Sequence, residues 1–81
     1  MDFRTWWYRI PADQRAAVAS RLQVSEGYLN CVAGGFRQPG ESLCMRIEHE
    51  SDRVIRCESL RPDVPWHLVR VVEPRRQAVT V

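Results

Sequence analysis

Apolar positions in residues 14–33, QRAAVASRLQVSEGYLNCVA, fall into two short stripes separated by a polar break. Val18, Ala19 and Leu22 form the first stripe, and Leu29, Val32 and Ala33 form the second. The spacing predicts two short helices joined by a tight turn. Gln23, Val24 and Ser25 fill the break. Val24 is expected to be buried in the turn. Ser25 is expected to cap the second helix by accepting from backbone N–H groups two or three residues ahead. Ala19 falls where the helices cross closely, so a methyl group fits and a larger side chain would push them apart. The outer face of the second helix is left with Glu26, Gly27, Asn30 and Cys31, with the ring of Tyr28 beside them. A short capped helix with small and polar groups outward can lie in a DNA major groove.

The flanking segments follow the same period. In residues 2–10, Phe3, Trp6 or Trp7, and Ile10 share a helical face, with Asp2 at the favourable N-terminal end. Trp6 and Trp7 are adjacent and cannot both face inward squarely, so one belongs at the edge of the core. A platform of aromatics for stacking nucleobases is the alternative use of these rings. Pro11 ends this helix and opens the next, where Asp13 is a candidate cap. Gly34-Gly35 is the stop signal after residue 33, Phe36 is expected to tuck back onto the core, and Pro39-Gly40 closes the loop. Residues 41–50 predict a further helix, with Leu43, Ile47 and either Cys44 or Met45 inward. Arg46, Glu48 and Glu50 are expected to face water, with Arg46 and Glu50 as an i,i+4 pair. Ser51-Asp52 breaks the period, Val54-Ile55 is a brief apolar pair, residues 57–60 make one helical turn, and Arg61-Pro62-Asp63 makes a chain turn.

The pattern therefore predicts an all-α chain of four to five helices, with a helical domain over 1–63 and an extension over 64–81. Val64, Trp66, Leu68, Val69, Val71 and Val72 are too apolar for a free tail. They cap the core, or pair as a strand or helix with a second copy, and Val64, Trp66, Leu68, Val69 and Val71 are the candidate oligomerisation residues. Residues 73–81 are expected to be loosely ordered, although AVTV at the end is strand-like.

Composition narrows this only slightly. At 81 residues, 44% hydrophobic and 27% charged, the chain is an ordinary globular domain with one modest core. Net charge is +2, and the excess lies in residues 1–46, where six Arg face four acidic residues. All twelve basic residues are Arg; Arg suits bidentate contact to phosphate and guanine, and a GC-rich genome gives the same bias. Cys31, Cys44 and Cys57 are an odd number without a CxxC pair, so free thiols in a reducing cytosol are expected, with no disulfide and no metal site. His49 and His67 fit no zinc spacing. No cofactor is implied, no apolar run is long enough to span a membrane, and no thiol has a base at recognisable spacing, so an enzyme is not expected.

Ala19, Leu22, Val24-Ser25, Tyr28-Leu29 and Gly34 together resemble the Cro- and lambda-repressor-like (Xre-type) helix-turn-helix family. More narrowly, GYLNCVAGGFRQPGESLCMRIE (27–48) followed by CESLRPDVPW (57–66) looks like the YdaS-type subgroup of small prophage-encoded Cro-like proteins, often labelled antitoxins. Two positions depart from the pattern. Gln23 stands where the family usually has Gly, so the turn must reach left-handed geometry with a side chain, at a cost of order 1 kcal/mol. Pro65 lengthens the stretch between Arg-Pro-Asp and Trp.

The resemblance implies a lambda-repressor-like domain, a cytoplasmic location and a transcriptional repressor that occludes a promoter. A helix this short reads only a few base pairs, so a homodimer or higher homo-oligomer on an inverted-repeat double-stranded DNA operator is expected. Ser25, Glu26, Gly27, Tyr28, Asn30 and Cys31 are the candidate base contacts, with Asn30 the most specific reader through an adenine edge. Gly27 lets the helix approach closely, and Glu26 either accepts from a cytosine amino group or serves the helix end. Gln14, Arg37 and Gln38 are the candidate phosphate contacts, Gln14 through the N-terminus of its helix. The alternative is a protein-interaction module in which the apolar 64–72 stretch neutralises a toxin partner.

Overall fold

Asp2 starts the first helix, α1 (Phe3–Arg9), by accepting from the Thr5 amide at 2.8 Å. This is one of the orphan N–H groups that every helix start must satisfy. The computed structural model describes residues 1–69. Within α1, Phe3 and Trp7 are buried with their rings nearly parallel, and Trp6 lies tilted against Phe3 at the half-buried edge. The adjacent tryptophans divide between core and rim, as their positions on one helix require. α2 (Ala12–Leu22) follows Pro11 without a side-chain cap; Asp13 sits in its first turn, favourably placed toward the helix dipole, and does not cap it.

Three more helices follow: α3 (Glu26–Ala33), α4 (Glu41–Glu50) and α5 (Cys57–Leu60). The chain is helical again over 66–69, and no strand occurs among the described residues. The all-α expectation therefore holds. α1 packs on α3, α2 packs on both α3 and α4, and α4 packs on α5.

The buried side chains form two clusters, and α4 is the wall between them. On one side Leu43 and Ile47 join Phe3, Trp7, Val18, Ala19, Leu22, Leu29, Ala33 and Ile55. On the other, Cys44 joins Cys57, Val64 and Trp66. Cys44 is thus the inward cysteine left open by the period, and Met45 is half-buried beside it.

The second cluster corrects the sequence reading of the chain's end. Val64 and Trp66, expected as oligomerisation residues, are 9% and 2% exposed and belong to the core of this one chain. The reason is the Arg61-Pro62-Asp63 turn. Arg61 forks onto Asp63 through Nε–Oδ1 at 3.0 Å and Nη2–Oδ2 at 2.8 Å, and its Nη1 donates to the Pro39 carbonyl at 3.1 Å. The Arg61 carbonyl accepts from the Trp66 indole at 2.7 Å, which supplies the partner a buried indole N–H needs. The turn therefore folds residues 64–69 back onto α4 and α5. Leu68 is 58% exposed, and Val69 is half-buried against the second cluster. Val71 and the AVTV segment lie outside the described residues.

Three surface expectations on α4, for Arg46, Glu48 and Glu50, also change. Arg46 turns inward, its Nε donating to the Leu22 carbonyl at 3.1 Å and its Nη1 to Ser42 Oγ at 2.8 Å. Glu50 pairs with Arg21 of α2 at 2.7 Å in place of Arg46. Glu48 accepts from the Cys57 amide at 2.9 Å and so starts α5 from another helix. For Arg46 and Glu48 the cause is a terminal backbone group of another helix within reach of a long α4 side chain. For Glu50 it is the Arg21 guanidinium of α2, which replaces an i,i+4 pair of only a few tenths of a kcal/mol.

Candidate nucleic-acid interface

The turn between α2 and α3 is three residues long and is held from three directions. Gln23 takes the left-handed conformation, φ 62° and ψ 37°, that the sequence demands of it without glycine. Its amide donates to Ser20 O at 3.0 Å, and the Val24 amide donates to Ala19 O at 3.1 Å. These paired bonds close a helix end and satisfy its last carbonyls. Arg46 takes the Leu22 carbonyl, and the Val24 side chain packs half-buried against the first cluster.

Ser25 then starts α3, its Oγ accepting from the Tyr28 amide at 3.0 Å, and Glu26 lies in the first helical turn. There a carboxylate favours the helix dipole, which supports the helix-end role for Glu26. Leu29 and Ala33 face the core, and Val32 is half-buried. Opposite them, Gly27, Asn30, Cys31 and Gly34 are exposed at steps of three, one and three, a continuous outer stripe of small or neutral groups. An added Cβ at Gly27 meets nothing within 4 Å, so the stripe is open where α3 begins.

Three of the candidate readers, Asn30, Tyr28 and Ser25, have partners within the chain. Asn30 is exposed, yet its Oδ1 accepts from the Trp7 indole at 2.8 Å, which ties α3 to α1. Among the described residues the amide's NH2 group makes no hydrogen bond of its own. Tyr28 is half-buried against the first cluster and its hydroxyl donates to the Gln38 carbonyl at 3.4 Å. Ser25 has its hydroxyl oxygen at the cap and is exposed; Cys31 is the exposed thiol of the three. Burial pushes the Cys44 thiol up to about 11, so that sulfur stays a neutral thiol at neutral pH.

Beyond α3 the loop is fixed at both ends. Gly35 sits at φ +82°, and the Gly35 and Phe36 amides donate to Val32 O and Cys31 O. At the other end the Pro39 carbonyl accepts from Arg61 and from the Cys44 thiol. Phe36, expected on the core, is 82% exposed, because this turn points its side chain outward over Gly34. Arg37 and Gln38 follow it, both exposed. Gln14 is also exposed, but it stands in the first turn of α2, at the end away from the turn into α3.

The electrostatics of this face are sparse. α3 itself holds no basic residue, and its one charge is Glu26. Arg37 is the exposed cation that follows α3 directly in the chain, whereas Arg21 is engaged with Glu50 and Arg46 with the turn. Among the described residues no group of His, Cys, Asp and Glu could hold a metal ion, and no helix is long and apolar enough to cross a membrane. No family model, curated protein or solved structure matches this chain.

Proposed function

We propose that the chain is a sequence-specific regulator of transcription that seats α3 in the major groove of double-stranded DNA as a symmetric homodimer. The observation that carries this is the outer stripe of Gly27, Asn30, Cys31 and Gly34, held proud of the body by a rigid three-residue turn and a capped helix start. A helix of eight residues is about 12 Å long and spans only a few base pairs, so two copies reading inverted half-sites about 34–36 Å apart are needed for a genomic address. Asn30 offers its NH2 group to a base edge while the Trp7 indole fixes its orientation. Ser25, Gly27 and Cys31 make close contacts, Tyr28 and Glu26 line the side, and Arg37, Gln38 and Gln14 hold phosphates.

The lambda-repressor-like and YdaS-type resemblance supports this assignment through the same residues, and it supplies the inference that binding represses. Neutralisation of a toxin partner is the weaker reading, because Val64 and Trp66, which motivated it, serve the chain's own core. Leu68 and Val69 remain candidates for the dimer contact.

Selection of bound fragments from random DNA, run at two salt concentrations, tests the proposal. A recurring inverted repeat that survives the higher salt is expected; binding without sequence preference that vanishes with salt would reduce it to charge attraction. Gly27→Glu is the matching variant. The site is open, so the fold is kept and helix propensity improves, while a carboxylate is forced onto the groove face. Loss of operator binding with unchanged thermal unfolding is the expected result.

A further inference from the structure

α2 and α3 end in the same pair of hydrogen bonds, and the two ends treat their apolar residue in opposite ways. After α2, Gln23 is left-handed and Val24, whose amide reaches back to Ala19 O, folds its side chain onto the core. After α3, Gly35 is left-handed and Phe36, whose amide reaches back to Cys31 O, stands in the place equivalent to Val24. In this turn the apolar residue usually packs against the helix it closes. Phe36 is 82% exposed instead, the most exposed large apolar side chain among the described residues.

Its position is not arbitrary. A Cβ on Gly34 would lie 2.9 Å from Cδ2 and Cε2 of the ring, so the phenyl group rests over the last member of the outer stripe of α3. The ring thus extends that stripe, which otherwise holds nothing larger than Asn30. Arg37 follows directly, exposed. An aromatic ring beside a free guanidinium, at the end of a helix face, matches a surface that is apolar at one point and anionic beside it. Duplex DNA offers that pairing in the major groove, where the C5 methyl of thymine lies within reach of the phosphate backbone.

We propose that Phe36 reads a thymine methyl at the edge of each half-site while Arg37 holds the neighbouring phosphate. The inference rests on the groove-seated placement of α3 and adds to it a specificity-determining residue beyond the helix.

Deoxyuridine substitution tests it, since it removes the methyl and nothing else. With the operator selected by the wild-type chain, each thymine is replaced singly and affinity is measured. The wild type is expected to lose about fourfold at one thymine in each half-site, the effect of one methyl-sized apolar group. Phe36→Ala is expected to fold normally and to bind the thymine and uracil operators equally at that position. Gly34→Ala keeps the ring but displaces it, and is expected to lose the same discrimination. Retention of thymine preference by Phe36→Ala overturns the inference, as does an operator with no thymine whose discrimination depends on Phe36. A shift of the monomer–dimer equilibrium of DNA-free Phe36→Ala in sedimentation would assign the ring to a second copy and also overturn it. A failure of the underlying proposal is distinct, because the wild type itself would then select no sequence, and both would fall.

Discussion

Gln23 holds the turn in a conformation that costs a side-chain-bearing residue of order 1 kcal/mol or more, because its Cβ crowds the following carbonyl. The turn tolerates this because it is over-determined: Ala19, Ser20 and Leu22 carbonyls all have donors within it or from Arg46. Glycine would remove the crowding and give back part of the gain as unfolded-state entropy. Gln23→Gly should therefore raise stability by about 0.5–1 kcal/mol in denaturant titration, with no change in DNA affinity. A loss of stability would mean that the Gln23 side chain contributes a contact. The left-handed turn was legible through the helix-turn-helix resemblance, in which Gln23 stands where glycine is usual. Phe36 was not. Its exposure depends on which way a closing turn points its last side chain, and hydrophobicity alone assigns it to the core.

Among the elements, α1 has a role that its own sequence hides. Its aromatic face was legible as core, but the Trp7 indole also needs an acceptor, and that acceptor is Asn30, 23 positions along the chain. Helical period cannot reveal such a bond, because it connects two elements whose packing is known only once they are assembled. Asn30 therefore does two things: its oxygen fixes α3 on α1, and its NH2 group is left unbonded on an exposed residue. Asn30→Ala should lower stability by about 1–3 kcal/mol by orphaning the indole N–H, as well as relaxing discrimination at one base position. Asn30→Asp separates the two, keeping the acceptor while removing the NH2 donors. It should unfold much closer to the wild type in thermal melts and still lose base discrimination. Equal destabilisation by both variants would show that the indole bond contributes little. The same logic explains α4, whose period correctly placed Leu43 and Ile47 inward and left the choice between Cys44 and Met45 open. Its charged residues went instead to the ends of α2 and α5, which the local sequence does not show.

At the scale of the molecule, the question is whether residues 64–69 belong to the folded body or are an appendage awaiting a partner. Apolar content reads the same for either, so the sequence could not separate them. The Arg61 fork, its bond to Pro39 and the Trp66 indole on Arg61 O bring the segment onto α4 and α5. The bidentate contact from Arg61 also holds the Asp63 carboxyl below its ordinary range. Trp66 and Leu68 then make opposite predictions. Trp66 is 2% exposed, so Trp66→Ala removes a core indole and should cost about 3–5 kcal/mol, enough to unfold a domain of this size at moderate temperature. Leu68 is 58% exposed, and Leu68→Glu should leave the melting temperature nearly unchanged. If α3 works in pairs and Leu68 lies at the contact, Leu68→Glu should lower dimer content in sedimentation and weaken operator binding more steeply with dilution. Dimer loss by Trp66→Ala at undiminished monomer stability would return the segment to the role of an interface. The predicted separation follows from one turn: Arg61 commits the tryptophan to the monomer and leaves the leucine outside.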